Sequence, residues 1–296
     1  MRPVNLRSKI FLDGGDPNET KAIIKLLGFL DGQTTNPTLI SKNPKLAEKL
    51  KKGGKFTTEE IFKFYKKVVQ EISKLIPSGS VSIEVYADKN TTAQQMLQAG
   101  TEMFNWIPNT HIKFPANSAG LNAAKKTIKM GLRVNLTLAF SQAQAAAVYQ
   151  ATKSDRKNKA SLPGFKNVFI SPFVGRLDDK GENGMDLIKN IIQMYRKSDH
   201  HVAVLAASIR NLNHFLYALS LGADIITAPF NVLKAWAEDG LQIPKTDFVY
   251  NPGELKSIPY QKLDLNKDWH EFNISHKLTN IGIEKFSSDW NALIHP

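Results

Sequence analysis

Short apolar runs alternate with longer amphipathic stretches along the chain. The strand-like runs fall at Lys9–Asp13, Leu30–Thr34, Val81–Val85, Thr110–Phe114, Arg133–Leu138, Asn167–Ser171, Val202–Ala206 and Ala223–Thr227. Helical spacing follows them, for example over Thr57–Leu75, Thr91–Asn105, Ser118–Met130, Met185–Lys197 and Asn211–Leu221. Strand–helix alternation implies a parallel sheet. Eight repeats, with no Gly-x-Gly-x-x-Gly after the first strand, predict an α/β fold of the (β/α)8 TIM-barrel type rather than a doubly wound nucleotide-binding sheet.

The Gly53-Gly54 pair breaks the helical region after the second strand, and Lys153–Gly164 makes a polar, basic loop before the sixth. Neither has the composition of a domain linker, so residues 1–296 are expected to form one barrel domain. Residues 243–296 make its C-terminal extension: Ile243–Asn273 is irregular and proline-punctuated, then Leu278–Leu293 returns to helical spacing with Ile281, Phe286 and Trp290 apolar. This extension is expected to pack across the barrel.

The 296 residues fit such a barrel, which typically needs about 250. Zero cysteines exclude disulfides, thiolate metal ligands and a cysteine nucleophile. No run approaches the roughly 20 apolar residues of a membrane span, and Met1–Arg7 lacks the apolar core of a signal peptide. A soluble, cytoplasmic protein is the expectation. The net charge of +12 raises the question of a nucleic-acid partner. Its basic stretches, Lys63–Lys67, Lys125–Lys129 and Lys153–Lys159, are scattered and lack interleaved aromatics for base stacking. They read as solvated faces, with neither nucleic acid nor membrane as a partner; an anionic small substrate fits the charge equally well.

In this fold the C-terminal ends of the strands open into the active-site mouth. Asp13 ends the first strand, Thr34-Thr35-Asn36-Pro37 follows the second, Glu84 lies near the end of the third and Lys113 lies on the fourth. Asn135 and Thr137 alternate on the fifth and so share a face, Ser171 ends the sixth, and Ser208 and Arg210 follow the seventh. An ammonium carried by an apolar strand is costly, and Schiff-base chemistry is the main reason to keep one. Taken singly, each residue also has a structural reading. Lys113 could snorkel to water, Asp13 could serve a turn beside Gly14-Gly15, and Glu84 could be a structural acid. Arg176 could pair with Asp178 or Asp179, and Arg210 could cap a helix beside Asn211. The histidines show no metal-ligand spacing with acidic partners, so no metal is expected.

The ordered segments Phe11-Leu12-Asp13, Thr34-Thr35-Asn36-Pro37, Ser82-Ile83-Glu84-Val85 and the Lys113 strand resemble the transaldolase family. The match continues through Val134–Ser141, Ile170–Arg176, Ala206–Asn211 and Leu278–Trp290, the last favouring classical transaldolases over their shorter relatives, the fructose-6-phosphate aldolases. The resemblance implies transfer of a dihydroxyacetone unit from a ketose phosphate (sedoheptulose 7-phosphate or fructose 6-phosphate) to an aldose phosphate, in the pentose phosphate pathway. It implies a lysine Schiff base with no metal or organic cofactor. Lys113 would be the nucleophile, Asp13 the base for the hydroxyl proton, and Glu84 with Thr137 the holders of a proton-shuttling water. Thr34, Asn36, Asn135, Ser171 and Phe173 would face substrate, while Arg176, Arg210 and Ser208 would bind phosphate. Phosphorylated sugars are the implied partners, and a homodimer is compatible with this reading.

Two departures stand out. Gly14-Gly15 replaces the usual hydroxyl residue and small neighbours, which predicts a more flexible first loop. Asn117-Ser118-Ala119 replaces a threonine followed by an acidic or amide residue, which puts the cap of the next helix in question. Glu84 rather than glutamine, and Phe173 rather than tyrosine, point within the resemblance to a transferase. The alternatives are a fructose-6-phosphate aldolase-like enzyme using free dihydroxyacetone, and a non-catalytic basic binding barrel.

Overall fold

A computed structural model describes residues 2–154, 161–245 and 248–295. The basic stretch Lys153–Lys159 lies mostly outside them, as do parts of the Lys153–Gly164 loop and of Ile243–Asn273. The eight strands are β1 (Lys9–Asp13), β2 (Gly32–Thr34), β3 (Ser80–Glu84), β4 (Thr110–Pro115), β5 (Val134–Ala139), β6 (Val168–Pro172), β7 (Val202–Ala206) and β8 (Ile225–Ala228). All pair in parallel in sequence order, and β8 closes on β1. The closed eight-stranded barrel is the architecture expected from the strand–helix alternation.

The outer helices are α1 (Pro17–Leu27), α2 (Pro37–Ser41), α3 (Pro44–Lys51), α4 (Thr58–Leu75), α5 (Ala93–Phe104) and α6 (Ser118–Lys129). They continue with α7 (Gln142–Thr152), α8 (Val174–Asp178), α9 (Gly184–Tyr195), α10 (Leu212–Leu221), α11 (Phe230–Glu238) and α12 (Lys277–Asn291). Their starts are written locally. Thr57 and Glu60 form a reciprocal capping box on α4, Thr92 and Gln95 form another on α5, and Asn211 caps α10. The altered Asn117 caps α6 competently, its Oδ1 accepting from Gly120 N–H at 2.8 Å.

The Gly14-Gly15 loop is pinned rather than loose. Gly14 N–H donates to the Thr34 carbonyl, and the side chains of Gln33 and Asn43 donate to the Gly14 and Gly15 carbonyls. A Cβ on Gly15 would lie 2.5 Å from the Leu39 carbonyl oxygen, so close packing, not mobility, requires glycine there.

The C-terminal helix α12 packs on α2 and on β5. Thr279 ties it down, donating to the Leu138 carbonyl at 2.9 Å and accepting from Gln144 at 2.9 Å. Leu278, Ile283, Phe286 and Trp290 form its buried stripe, whereas Ile281, expected on that face, is turned to solvent. The phase of the stripe is set by Thr279 and Gly282, small or polar positions that lie against the barrel.

The lower barrel is filled by aromatic rings. Phe11 meets Phe169 edge to face at 6.3 Å, and His111 stacks on Phe169 at 3.9 Å. Burial pushes His111 down to about 3, so the ring is neutral. Its Nε2–H must then donate to the Lys166 carbonyl while Nδ1 accepts from Ser80.

A group protonated in the unfolded chain but not in the native barrel destabilises the fold as pH falls below about 6.5, by about 1.4 kcal/mol per unit. Urea denaturation at pH 7 and pH 5 should therefore show the native protein losing about 2 kcal/mol more than His111→Gln on acidification, if the variant keeps the fold. Equal acid losses in both proteins would remove His111 as the cause.

Candidate active site

The polar strand ends meet in one cavity of about 410 Å³, entered from the C-terminal face of the barrel. Asp13, Thr34, Asn36, Lys113, Ser171 and Phe173 line it, with Arg176, Ser208 and Arg210 along the rim. Glu84, Asn135 and Thr137 are buried and lie outside that lining.

Register explains how distant residues become neighbours. Glu84, Lys113 and Asn135 pair in sequence across β3, β4 and β5, so they form one inward row. Lys113 Nζ lies 2.9 Å from Glu84 Oε2 and donates to the Thr35 carbonyl at 3.2 Å; both side chains of the ion pair are nearly inaccessible. Beyond this ion pair, Oε2 has no other hydrogen-bond donor among the described residues. Burial pushes the Glu84 carboxyl up from its ordinary range, and Lys113 only partly offsets this. Thr137 Oγ1 is likewise buried without a hydrogen-bond partner.

Asp13 is half-buried at the cavity wall. Enclosure raises its carboxyl as well, opposed by Lys113, by the 2.6 Å hydrogen bond from Thr34, and by Arg176. Because the Thr34 hydroxyl donates to Asp13, Thr227 must donate to Thr34 across their 2.7 Å contact. Asn135 donates to Ser82 Oγ and accepts from Ser171 Oγ at 2.7 Å. Asn36 caps α2 through its side-chain oxygen while lining the cavity.

The two arginines differ. Arg176 sits between the rings of Phe173 and Phe286, 5.2 and 5.0 Å from their centroids, and makes no ion pair among the described residues. Arg210 is half-exposed and pairs with Asp179 at 2.9 Å. Asp178 instead faces His214 at 3.3 Å, so the pairing of Arg176 with either aspartate does not occur. Ser208 holds a left-handed backbone (φ 58°), a conformation that costs a non-glycine residue about 1–2 kcal/mol. Its carbonyl is engaged by Gly175 N–H at 2.9 Å, which fixes the loop after β7 against α8.

With this geometry established, comparison with known proteins identifies the lineage. A sequence profile of the transaldolase/fructose-6-phosphate aldolase family matches residues 10–296. The chain belongs to that family. A probable transaldolase of Dehalococcoides mccartyi is 38% identical over 239 residues, covering 81% of this chain and 93% of that one. A probable transaldolase of Roseiflexus sp. is 34% identical over 284 residues, covering 96% and 97%. One from Paracoccus denitrificans is also 34% identical over 284 residues, covering 95% and 96%. Members of the family are enzymes that transfer a three-carbon unit. No helix among the described residues is long and apolar enough to cross a membrane, and no cluster of three or more His, Asp or Glu residues there could hold a metal ion.

Sequence reading missed Tyr65 and Thr227. Tyr65, on the inner face of α4, accepts from Glu84 N–H at 3.0 Å and donates to Thr35 Oγ1, which passes its own proton to the Ser82 carbonyl. It is clamped by Trp106 and Trp290. Its only signal in the sequence was a tyrosine in an otherwise aliphatic stripe.

Tyr65→Phe should strand the buried Glu84 amide and take from the Thr35 hydroxyl its donor, costing about 1–3 kcal/mol of unfolding free energy. Chemical denaturation checks this, and an unchanged midpoint and slope would show the network to be dispensable.

Proposed function

We propose that this protein is a transaldolase which moves a dihydroxyacetone unit from a ketose phosphate, sedoheptulose 7-phosphate or fructose 6-phosphate, to an aldose phosphate through a Schiff base on Lys113. The observation that carries this reading is the buried Lys113–Glu84 pair opening into a cavity rimmed by two arginines. An amine, two carboxylates of raised basicity and a cationic rim are the groups this chemistry needs.

Lys113 Nζ attacks the ketose carbonyl, and Glu84 accepts the proton the amine must shed. Its Oε2, held at 2.9 Å from Lys113, and the Thr137 hydroxyl, buried without a hydrogen-bond partner, suit the pair to hold the water released as the carbinolamine becomes an iminium. Asp13 then takes the proton of the sugar hydroxyl beside the scissile carbon–carbon bond. The bond's electron pair flows into the iminium, leaving an enamine on Lys113 and releasing an aldose phosphate. Thr34 orients Asp13, Ser171 and Asn36 hold donor hydroxyls from the cavity wall, and Asn135 joins them through its hydrogen bond from Ser171. Arg176, Arg210 and Ser208 bind the phosphate, the guanidinium groups by charge-assisted pairs. Attack of the enamine on a second aldose phosphate and hydrolysis of the new iminium complete the cycle. No metal or organic cofactor enters it. The activity belongs to the pentose phosphate pathway and to the cytoplasm.

Borohydride added with fructose 6-phosphate should fix a dihydroxyacetone adduct on the peptide containing Lys113. Lys113→Arg should lose both adduct and turnover, since a guanidinium is not a usable amine nucleophile. A turning-over Lys113→Arg protein, or an adduct on Lys125 or Lys126, would refute the assignment.

Phe173 packs against Phe140 at 5.8 Å and offers no hydroxyl to the Schiff-base water, which favours transfer over release. Product should form slowly from fructose 6-phosphate alone and much faster with erythrose 4-phosphate, while Phe173→Tyr should raise the share of free dihydroxyacetone. Rapid release by the unmodified protein without an acceptor would make it a fructose-6-phosphate aldolase instead.

A further inference from the structure

Two helical glycines of this chain have no backbone reason to be glycine. Gly175 in α8 and Gly282 in α12 both lie outside the positive-φ region, and glycine inside a helix costs roughly 1 kcal/mol relative to alanine. What each would strike as an alanine is specific. A Cβ on Gly175 would lie 2.1 Å from Arg210 Nε, 2.5 Å from its Cγ and 2.7 Å from its Cδ. A Cβ on Gly282 would lie 2.6 Å from Arg176 Nη1 and 2.6 Å from Leu138 Cδ2.

Each rim arginine therefore rests on a glycine, and the pairing is crossed. Gly175 precedes Arg176 in sequence but seats Arg210, whereas Arg176 is seated by Gly282 of the C-terminal helix. Phe286, one turn beyond Gly282, supplies the second wall of the Arg176 slot opposite Phe173. Arg210 lies across α8 with Asp179 holding its far end, and the Gly175 N–H bond to the Ser208 carbonyl sets the depth of that seat.

We propose that Gly175 and Gly282 are positioning residues for substrate-phosphate recognition, each allowing one guanidinium to lie flat against the cavity rim, so that α12 is a working part of the phosphate site. This rests on the reading of Arg176 and Arg210 as phosphate anchors. A bulge of one methyl would push either guanidinium outward, and misplacement of about 1 Å is enough to weaken a bidentate contact severely.

The test is steady-state kinetics and binding on Gly175→Ala, Gly282→Ala, Arg176→Ala, Arg210→Ala and the double variant Gly175→Ala/Arg210→Ala. Gly175→Ala is the cleaner of the glycine variants because the three nearest atoms all belong to one flexible side chain, that of Arg210. It should raise KM for fructose 6-phosphate, and the inhibition constant of inorganic phosphate, by on the order of tenfold, as expected for a weakened charge-assisted contact. Borohydride trapping of unphosphorylated dihydroxyacetone on Lys113 should change far less. In the Arg210→Ala background the glycine substitution should add no further loss, because its effect runs through the arginine.

If Arg210→Ala weakens phosphate but Gly175→Ala and Gly282→Ala do not, the seating inference is wrong and the phosphate reading stands. Equal losses for phosphorylated and unphosphorylated substrates in the glycine variants, or additive losses in the double variant, would also overturn it. If neither arginine substitution discriminates against phosphate, the phosphate reading itself fails.

Discussion

The ion pair between Lys113 and Glu84 is the constraint around which the upper barrel is arranged. Taking two charges out of water costs several kcal/mol per ion, and mutual attraction repays this only with good geometry. Here the repayment is incomplete: Lys113 gains a carbonyl and a carboxylate, but Glu84 Oε2 has no donor besides Lys113 among the described residues. Such a pair is a poor stabilising device. It leaves a carboxylate of raised basicity touching an amine, and in the proposed mechanism that contact is where the first proton moves. The aromatic filling below and the helix packing outside supply the stability that the pair does not.

Holding this pair in register falls to groups that never touch the cavity. Tyr65 fixes the backbone of Glu84 and the side chain of Thr35, whose carbonyl in turn receives Lys113. Trp290 of α12 presses on the Tyr65 ring, while Phe286 and Gly282 of the same helix shape the slot of Arg176. One C-terminal helix thus supports both ends of the cavity, the Lys113 amine through a tyrosine and the cationic rim directly. Thr279 fixes its height by bonding the Leu138 carbonyl, at the irregular top of β5 where Leu138 adopts a left-handed backbone.

The barrel was legible in the sequence because parallel strands announce themselves as short apolar runs separated by helix periods. Their polar ends were legible because a polar residue closing an apolar run has few reasons to be there. Asp13, Thr34, Ser171 and Lys113 meet for that reason. Tyr65 and Thr227 were not legible, since a hydroxyl inside an apolar pattern looks like ordinary packing until its partner is known. The phase of α12 was misjudged at Ile281 because Gly282 and Thr279 carry no hydrophobic signal, yet both lie against Leu138 of β5. The partners of Arg176 and Arg210 depend on which side of α8 each side chain crosses, a matter of rotamer and contact rather than of spacing.

Polarity is sorted by depth along the barrel axis. At the bottom, His111 is kept neutral between Phe169 and its two hydrogen-bond partners, so the ring two residues before Lys113 on β4 carries no charge. In the middle, one ammonium faces two carboxylates whose own burial resists ionisation. At the rim, of Arg176 and Arg210 only the half-exposed Arg210 has a carboxylate partner among the described residues, a weak and readily exchanged one. In the proposed function, a dianionic phosphate entering the cavity meets these two guanidinium groups before the ammonium of Lys113, whose charge is shared with Glu84 and Asp13. On that reading the rim arginines hold the phosphate end of a sugar phosphate and leave its carbonyl end free to reach Lys113.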